Sequence, residues 1–529
     1  MTSANFKTTR QSVVIRLCLL ALGLSFAASA PAASEYWAGN GGTTNAPTDG
    51  TWTVTTPTVW SDGTVDTANV GWTAGNAAVF SGTDPQTVAI TVGGAIAASS
   101  LTFNNSGYTL SASSAQTITA SGNPFLIAAA GTSNTIGNNV KVNASTASTD
   151  IVGAPAAGAN AGTVIVASGG SLTSTKAMLI DGAGTVVNVL AGGTLTTANA
   201  TASFLSVGGG GAGDNSTLIV NGGSVSILKS SGSIWLGTQT AAVTANQSGT
   251  LTITNGGTVT EIGGFVSLAP GSGNVGTLNL DGGTLTTANI NSGTGTGQSG
   301  AGTATVNFNS GILKAQSSPS PSSFVVATTA NVRNGGAVIN NNAFSVIIAQ
   351  PLLHSTIGGD NATDGGLTSS GSGTLTLTGA NTYNGPTTVS SGTLVTTPAS
   401  TGAGSYTVAN GATLTVSNVV AGTSLAVSSL KLGTSAATTL NFVLGANASA
   451  TVPAIQDNGA LTLGGTVTVN VTGSLNTSSS TNLLINYASG GSGTMLLGSV
   501  PAATGGATAV LVNAGNQLML VYAQPAHAV

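Results

Sequence analysis

Thirteen carboxylates and two histidines supply nearly all the acid–base chemistry of this 529-residue chain, and their spacing decides what they could do. The densest group is Gly358-Gly359-Asp360-Asn361-Ala362-Thr363-Asp364-Gly365-Gly366. Two carboxylates four residues apart, followed by Gly, partly imitate a calcium loop, in which alternating oxygen ligands surround the ion. The position between them holds Ala362, and no late bidentate Glu follows. The stretch reads as a polar glycine-rich loop, with Asp360 and Asp364 as weak metal candidates and no cofactor expected. Asp150, Asp181, Asp214, Glu261, Asp281 and Asp457 stand far apart. Glycoside cleavage needs two carboxylates flanking one bond, and proton abstraction needs a base within reach of its substrate. Asp281 and Glu261 lie about one repeat apart, so stacking is the way to bring them together. No Lys, Arg or His recurs at a matching offset, His354 is alone, and His527 sits in the tail. The residue pattern predicts no catalytic site and no enzyme.

A second chemistry is glycan contact. Trp37, Trp52, Trp60 and Trp72 cluster with Tyr36, Phe80, Phe103 and Tyr108. Such a group either caps the end of a fold or stacks on sugar rings, and both readings use the apolar faces of the rings. A cell-surface or extracellular polysaccharide is thus a candidate partner.

The elements that must carry these residues are strands. Asp, Glu, Lys and Arg make up 4% of the chain and hydrophobic residues 41%, with 77 glycines. Ordinary globular chains are about 25% charged and about 7% Gly. Thr, Val, Asn and Gly favour pleated surfaces and tight corners. A unit of the form apolar-x-apolar, turn, Gly-Gly, then a further strand recurs. Examples are Leu218-Ile219-Val220 with Gly222-Gly223, Leu251-Thr252-Ile253 with Gly256-Gly257, and Leu278-Asn279-Leu280 with Gly282-Gly283. The second Gly falls at 170, 193, 223, 257, 283 and 311. Self-similarity on this scale signals a solenoid, in which each unit buries its apolar face against its neighbours. The expected register puts Leu278 and Ile253 inward and Thr252 and Asn279 outward. Propeller blades need about 40–45 residues each, and sandwich arrays need larger aromatic cores. The pattern predicts an all-β, right-handed parallel β-helix with terminal β caps.

Residues 371–395, GSGTLTLTGANTYNGPTTVSSGTLV, sharpen this. Gly373, Leu375, Leu377, Gly379, Asn381, Thr382, Tyr383, Gly385, Thr387, Val389, Gly392 and Leu394 fit a two-strand motif joined by a G-A-N-T-Y-x-G-x-T turn. The stretch resembles the autotransporter-associated β-strand repeat, also called the passenger-associated transport repeat. The resemblance implies an exported, elongated β-solenoid of structural or adhesive type. It implies no reaction.

The termini complete the expectation. Lys7, Arg10 and Arg16 precede an apolar run from Leu17 to Phe26, which is too short for the ~20 residues of a membrane span. With the small residues that follow, 1–33 reads as a signal peptide for Sec-type export. Cys18, the one cysteine, lies inside it. Residues 34–120 form an aromatic-rich β cap, 121–420 the repeat region, 421–524 a terminal β module or cap, and 525–529 a tail. The basic residues left after processing are widely spread, so no stripe exists to neutralise phosphates and nucleic acid is not an expected partner. No transmembrane segment is expected in the mature chain, which should engage the export machinery and reach the medium or the cell surface.

Overall fold

Short apolar alternations and glycine corners together dictate a coil. In the strand Ser248–Thr254 the side chains alternate buried and half-exposed, Leu251 and Ile253 inward and Thr252 outward. The chain then turns through Gly256 and Gly257 into Thr258–Glu261. Gly256 has φ of 76°, which favours glycine, and a Cβ on Gly257 would lie 2.2 Å from the Val220 carbonyl oxygen of the coil beneath. The first glycine makes the corner and the second lets two coils touch.

The computed structural model describes residues 32–524, except 40–41, 56–57, 84–86, 146–148, 154–161, 199–203, 210–212, 229–231, 238–245, 294–301, 318–322, 421 and 446–448. The signal peptide as far as residue 31, Cys18 and the tail 525–529 with His527 lie outside the described residues. The described residues form strands and turns with no helix, so none is long and apolar enough to cross a membrane.

Each early coil contributes one strand to each of three faces. One coil runs Thr163–Val166, Ser171–Ser174, Ala177–Asp181, and the next begins at Ala183–Leu190. The first face runs from Ser34–Trp37 to Ile290–Asn291. It continues through the Ile290–Val325 bridge and a hydrogen bond from Phe324 N to Ile347 O into a seven-stranded run ending at Met495–Leu497. The second face holds twelve strands from Gly50–Trp52 to Leu353–His354. The third runs in parallel register from Ile96–Ala98 to Ser480–Gly490. Inside, Leu172, Leu195, Val225, Val259 and Leu285 stack as one column, each at most 1% exposed. Outside, on the second face, Asn279 Nδ2 donates to Thr252 Oγ1 (3.1 Å), Asn307 to Asn279 Oδ1 (2.8 Å) and Asn331 to Asn307 Oδ1 (2.9 Å).

The coils change after His354. Third-face strands begin at Ala337, Leu367, Thr387 and Tyr406. The steps are thus 30, 20 and 19 residues, because the second-face strand is replaced by a turn. Among the described residues, parallel pairing links Thr393–Thr396, Thr413–Asn418, Thr438–Leu444, Val467–Gly473 and Met495–Leu497 in turn. Antiparallel strand pairing occurs at the two ends of the described stack, between Ser34–Trp37 and Trp60–Ser61 at the start and where Ser480–Gly490, Gln517–Ala523 and Thr508–Ala514 fold over one another at the finish. Thr438–Leu444, Ile455–Leu463, Val467–Gly473 and Ser480–Gly490 are longer strands of the parallel stack, and Thr508–Ala514 with Gln517–Ala523 folds back on its end.

Candidate functional site

The densest group of polar side chains sits where the second face ends. Arg333 follows the strand Thr329–Val332, and its guanidinium grips Asp360 in a fork, Nε to Oδ2 at 2.9 Å and Nη2 to Oδ1 at 3.0 Å. Ser355 Oγ donates to the same Oδ2. The Arg333 hydrogen bonds hold the Asp360 carboxyl below its ordinary range, and Asp360 in turn pushes the guanidinium up. Asp364 is built in differently. Its Oδ1 accepts from Gly366 N and Gly385 N, its Oδ2 from Asn384 N, all at 2.9 Å. His354 Nδ1 lies 2.9 Å from Oδ2. Each carboxylate is thus held by protein donors and stitches the loop to a neighbouring coil. Among the described residues no three His, Cys, Asp or Glu side chains converge on a common point. The calcium-like spacing of Asp360 and Asp364 therefore resolves into two different contacts, one to a guanidinium and one to backbone N–H groups and an imidazole.

Most of the other acids stay apart, although Asp281 lies near enough to Arg333 to help push its guanidinium up. Glu261 ends a third-face strand and Asp281 ends a second-face strand, so stacking places the two on different faces. Glu261 is fully buried. It accepts from Thr287 Oγ1 at 3.0 Å and from Gly264 N, and burial pushes its carboxyl up to about 7. Asp150 accepts from Ser174 Oγ in another coil. Asp181 accepts from Gly182 N at 2.8 Å, and Asp214 is buried. Asp457, also buried and pushed up by burial, accepts from Gly459 N. Asp150, Asp181, Glu261 and Asp457 thus each hold a neighbouring hydroxyl or backbone N–H, and among the described residues no three acidic or histidine side chains gather.

The four tryptophans converge, but inward. Trp37, Trp52 and Trp60 are 0% exposed and Trp72 7%. Trp37–Trp60 and Trp52–Trp60 have ring centroids 5.1 Å apart, and Trp52–Trp72 4.9 Å, in edge-to-face contact. With Phe80, Phe103 and Tyr108 they close the first coils. Rings enclosed in this way offer no face to a glycan, which corrects the sugar-stacking reading of Trp37, Trp52, Trp60 and Trp72. A pair that the sequence reading passed over, Trp235 with Phe265, is half-exposed with centroids 5.5 Å apart.

The turn at 378–386 shows why its residues are what they are. Asn381, 1% exposed, accepts from Leu352 N at 2.9 Å through Oδ1 and donates to Ser400 Oγ at 3.0 Å through Nδ2. One amide thus bridges the coils on either side where the second-face strand is missing. Tyr383 is buried beneath it, its hydroxyl 2.9 Å from Thr387 Oγ1. A Cβ on Gly385 would meet the Asp364 carbonyl oxygen at 2.2 Å, and one on Gly373 the Phe344 carbonyl oxygen at 2.1 Å. Asn381, Tyr383, Gly373 and Gly385 thus each have a physical task in closing the short coil. In comparisons with known proteins, the family model of the passenger-associated transport repeat matches residues 367–395. No curated protein and no solved structure matches the chain. The turn, its two flanking strands and the coil they complete are the repeat of the autotransporter-associated family, and this chain carries it.

Proposed function

We propose that the protein is an exported surface rod of the autotransporter passenger type, acting through extended faces and not through a catalytic centre. The observation that carries this reading is the shortened coil at 367–395, which matches a passenger repeat and sits inside an uninterrupted parallel stack. The placement of the acids supports it. Asp150, Glu261, Asp364 and Asp457 are each used in holding a corner. A solenoid of this kind presents long surfaces whose properties change slowly from coil to coil, which suits contact with a surface or a polymer. Export would use residues 1–33, leaving a chain that begins between Pro31 and Glu35.

The test is made in cells that express the full chain. Protease added to intact cells should degrade the protein, or it should appear in the medium, and N-terminal sequencing should start in that interval. Protein that remains protected in the cytoplasm with Met1 in place would refute the reading. Turnover of a polysaccharide that vanishes on replacing a single acid would transfer the protein to the enzymes.

A further inference from the structure

The third face carries a regular array that no part of the passenger reading requires. Five successive strands, Ser171–Ser174, Thr194–Thr197, Ser224–Ile227, Thr258–Glu261 and Thr284–Thr287, pair in unbroken register. Their first outward positions form the column Ser171, Thr194, Ser224, Thr258 and Thr284. A second column lies two residues further along each strand, and every member of both columns is Ser or Thr. The inward residue between them, Leu172 in the first rank and Leu285 in the last, is at most 1% exposed and fixes the strand against the core. Ranks in such a ladder repeat every ~4.8 Å, and columns two residues apart on a strand are separated by roughly 6.6 Å. The array is bounded in register by Lys141 below Ser171 and by Lys314 above Thr286.

We propose that this hydroxyl grid binds ice. Four observations select that ligand. The strands are interior members of their ladder, so their backbone groups are paired and an extended peptide has no edge to join. The grid has no charged side chain, so a polyanion or polycation finds no counter-charge. It has no aromatic ring on which a sugar could stack. Among the described residues, its side-chain hydroxyls bond to one another only at Ser171–Thr173, 3.3 Å apart, whereas the outward amides of the second face are bonded to each other. What remains is a rigid sheet of hydroxyl groups interleaved with threonine methyls. The rank spacing lies near the shorter oxygen repeat on a prism face of ice, and the column spacing falls a little short of the longer one. Hydroxyls already held at lattice positions order their first-shell water at little further cost, and the methyls exclude disordered water between the ranks.

The experiment uses the purified mature chain. Thermal hysteresis and partition into a slowly growing ice hemisphere are measured for the wild type and for the double variant Thr196→Lys with Thr260→Lys at the centre of the grid. The single variant Ser226→Tyr, which suits a strand surface, covers a failure of the double variant to fold. Thr407→Lys, outward on the same face beyond the grid, is the control. Circular dichroism melting checks each fold. Wild type and control should show hysteresis and enter ice, while the grid variants fall to the buffer value with unchanged melting. A folded wild type with neither hysteresis nor ice partition overturns the proposal, as does equal hysteresis in the grid variants. Retention on crystalline cellulose or chitin that is lost in the grid variants, without ice partition, overturns it and assigns the face to a glycan.

Discussion

Asn381→Ala is the sharpest test of how the short coil is closed. The side chain is 1% exposed and makes two bonds that cross between coils, to Leu352 N and Ser400 Oγ. Truncation affects these two partners unequally. Ser400 Oγ keeps Thr396 Oγ1 at 3.3 Å, so its share is an ordinary hydrogen bond of about 1 kcal/mol. The Leu352 amide is deeply buried and loses its acceptor, and an orphaned buried donor costs about 1–3 kcal/mol. The expected loss is therefore about 2–4 kcal/mol. Thr388→Ala, outward on the neighbouring strand, should cost well under ~1 kcal/mol. Long repeat arrays need not unfold in one step, so urea titration is paired with hydrogen exchange. Protection should fall first at the amides of 350–385 and least at the Trp60 end. Equal losses for Asn381→Ala and Thr388→Ala, or a loss of protection spread evenly along the rod, would refute the bridging role.

Three further outcomes follow from the same geometry. Leu278→Asp or Ile253→Asp buries an unpaired charge and should cost several kcal/mol, while Asn279→Ser should cost about 1 kcal/mol through its ladder bonds; similar denaturation midpoints would refute the register. Gly257→Ala should destabilise more than Gly256→Ala, because the first meets a backbone oxygen at 2.2 Å and the second only the ~1–2 kcal/mol of a left-handed φ; thermal melting in the reverse order would show that the corner relaxes. Glu261 has a carboxyl raised to about 7 from 4.5, so the folded state holds the proton more tightly than the unfolded chain. Its protonated form supports the fold at low pH, and that support is lost as pH rises from about 4.5 through about 7. Glu261→Gln should match the wild type near pH 4 and exceed it at pH 8, and a variant weaker than wild type at pH 8 would contradict the assignment.

Much of this architecture was legible in the chain. The Gly-Gly steps at 170, 193, 223, 257 and 283 coincide with the corners that lead into third-face strands, because corner geometry and close coil contact constrain those positions locally. The inward placement of Leu278 and Ile253 followed from period-2 alternation. The motif around Asn381 and Tyr383 was dense enough to read directly, although its work as a bridge between coils was not. Long-range register was the harder part. Steps of 23–34 residues hide which outward threonines align, so the grid from Ser171 to Thr286 was invisible. For the same reason Glu261 and Asp281 looked like one-coil neighbours when they lie on different faces. The tryptophan cluster was found, but composition does not tell whether rings turn inward or outward. The spacing of Asp360 and Asp364 gave no hint that Arg333, 27 residues earlier, would take one of them.

The asparagine ladder of the second face bears on error. Asn279, Asn307 and Asn331 all donate towards the N-terminal end, and on the first face Asn441 and Asn470 do the same. A coil that slipped by one residue would turn its amide into the apolar interior and a leucine into water. It would also break the amide chain on both sides of itself. Mis-stacked intermediates of a long repetitive chain are therefore penalised at every rung, locally and at once. A sequence made of near-copies can in this way still count its own turns.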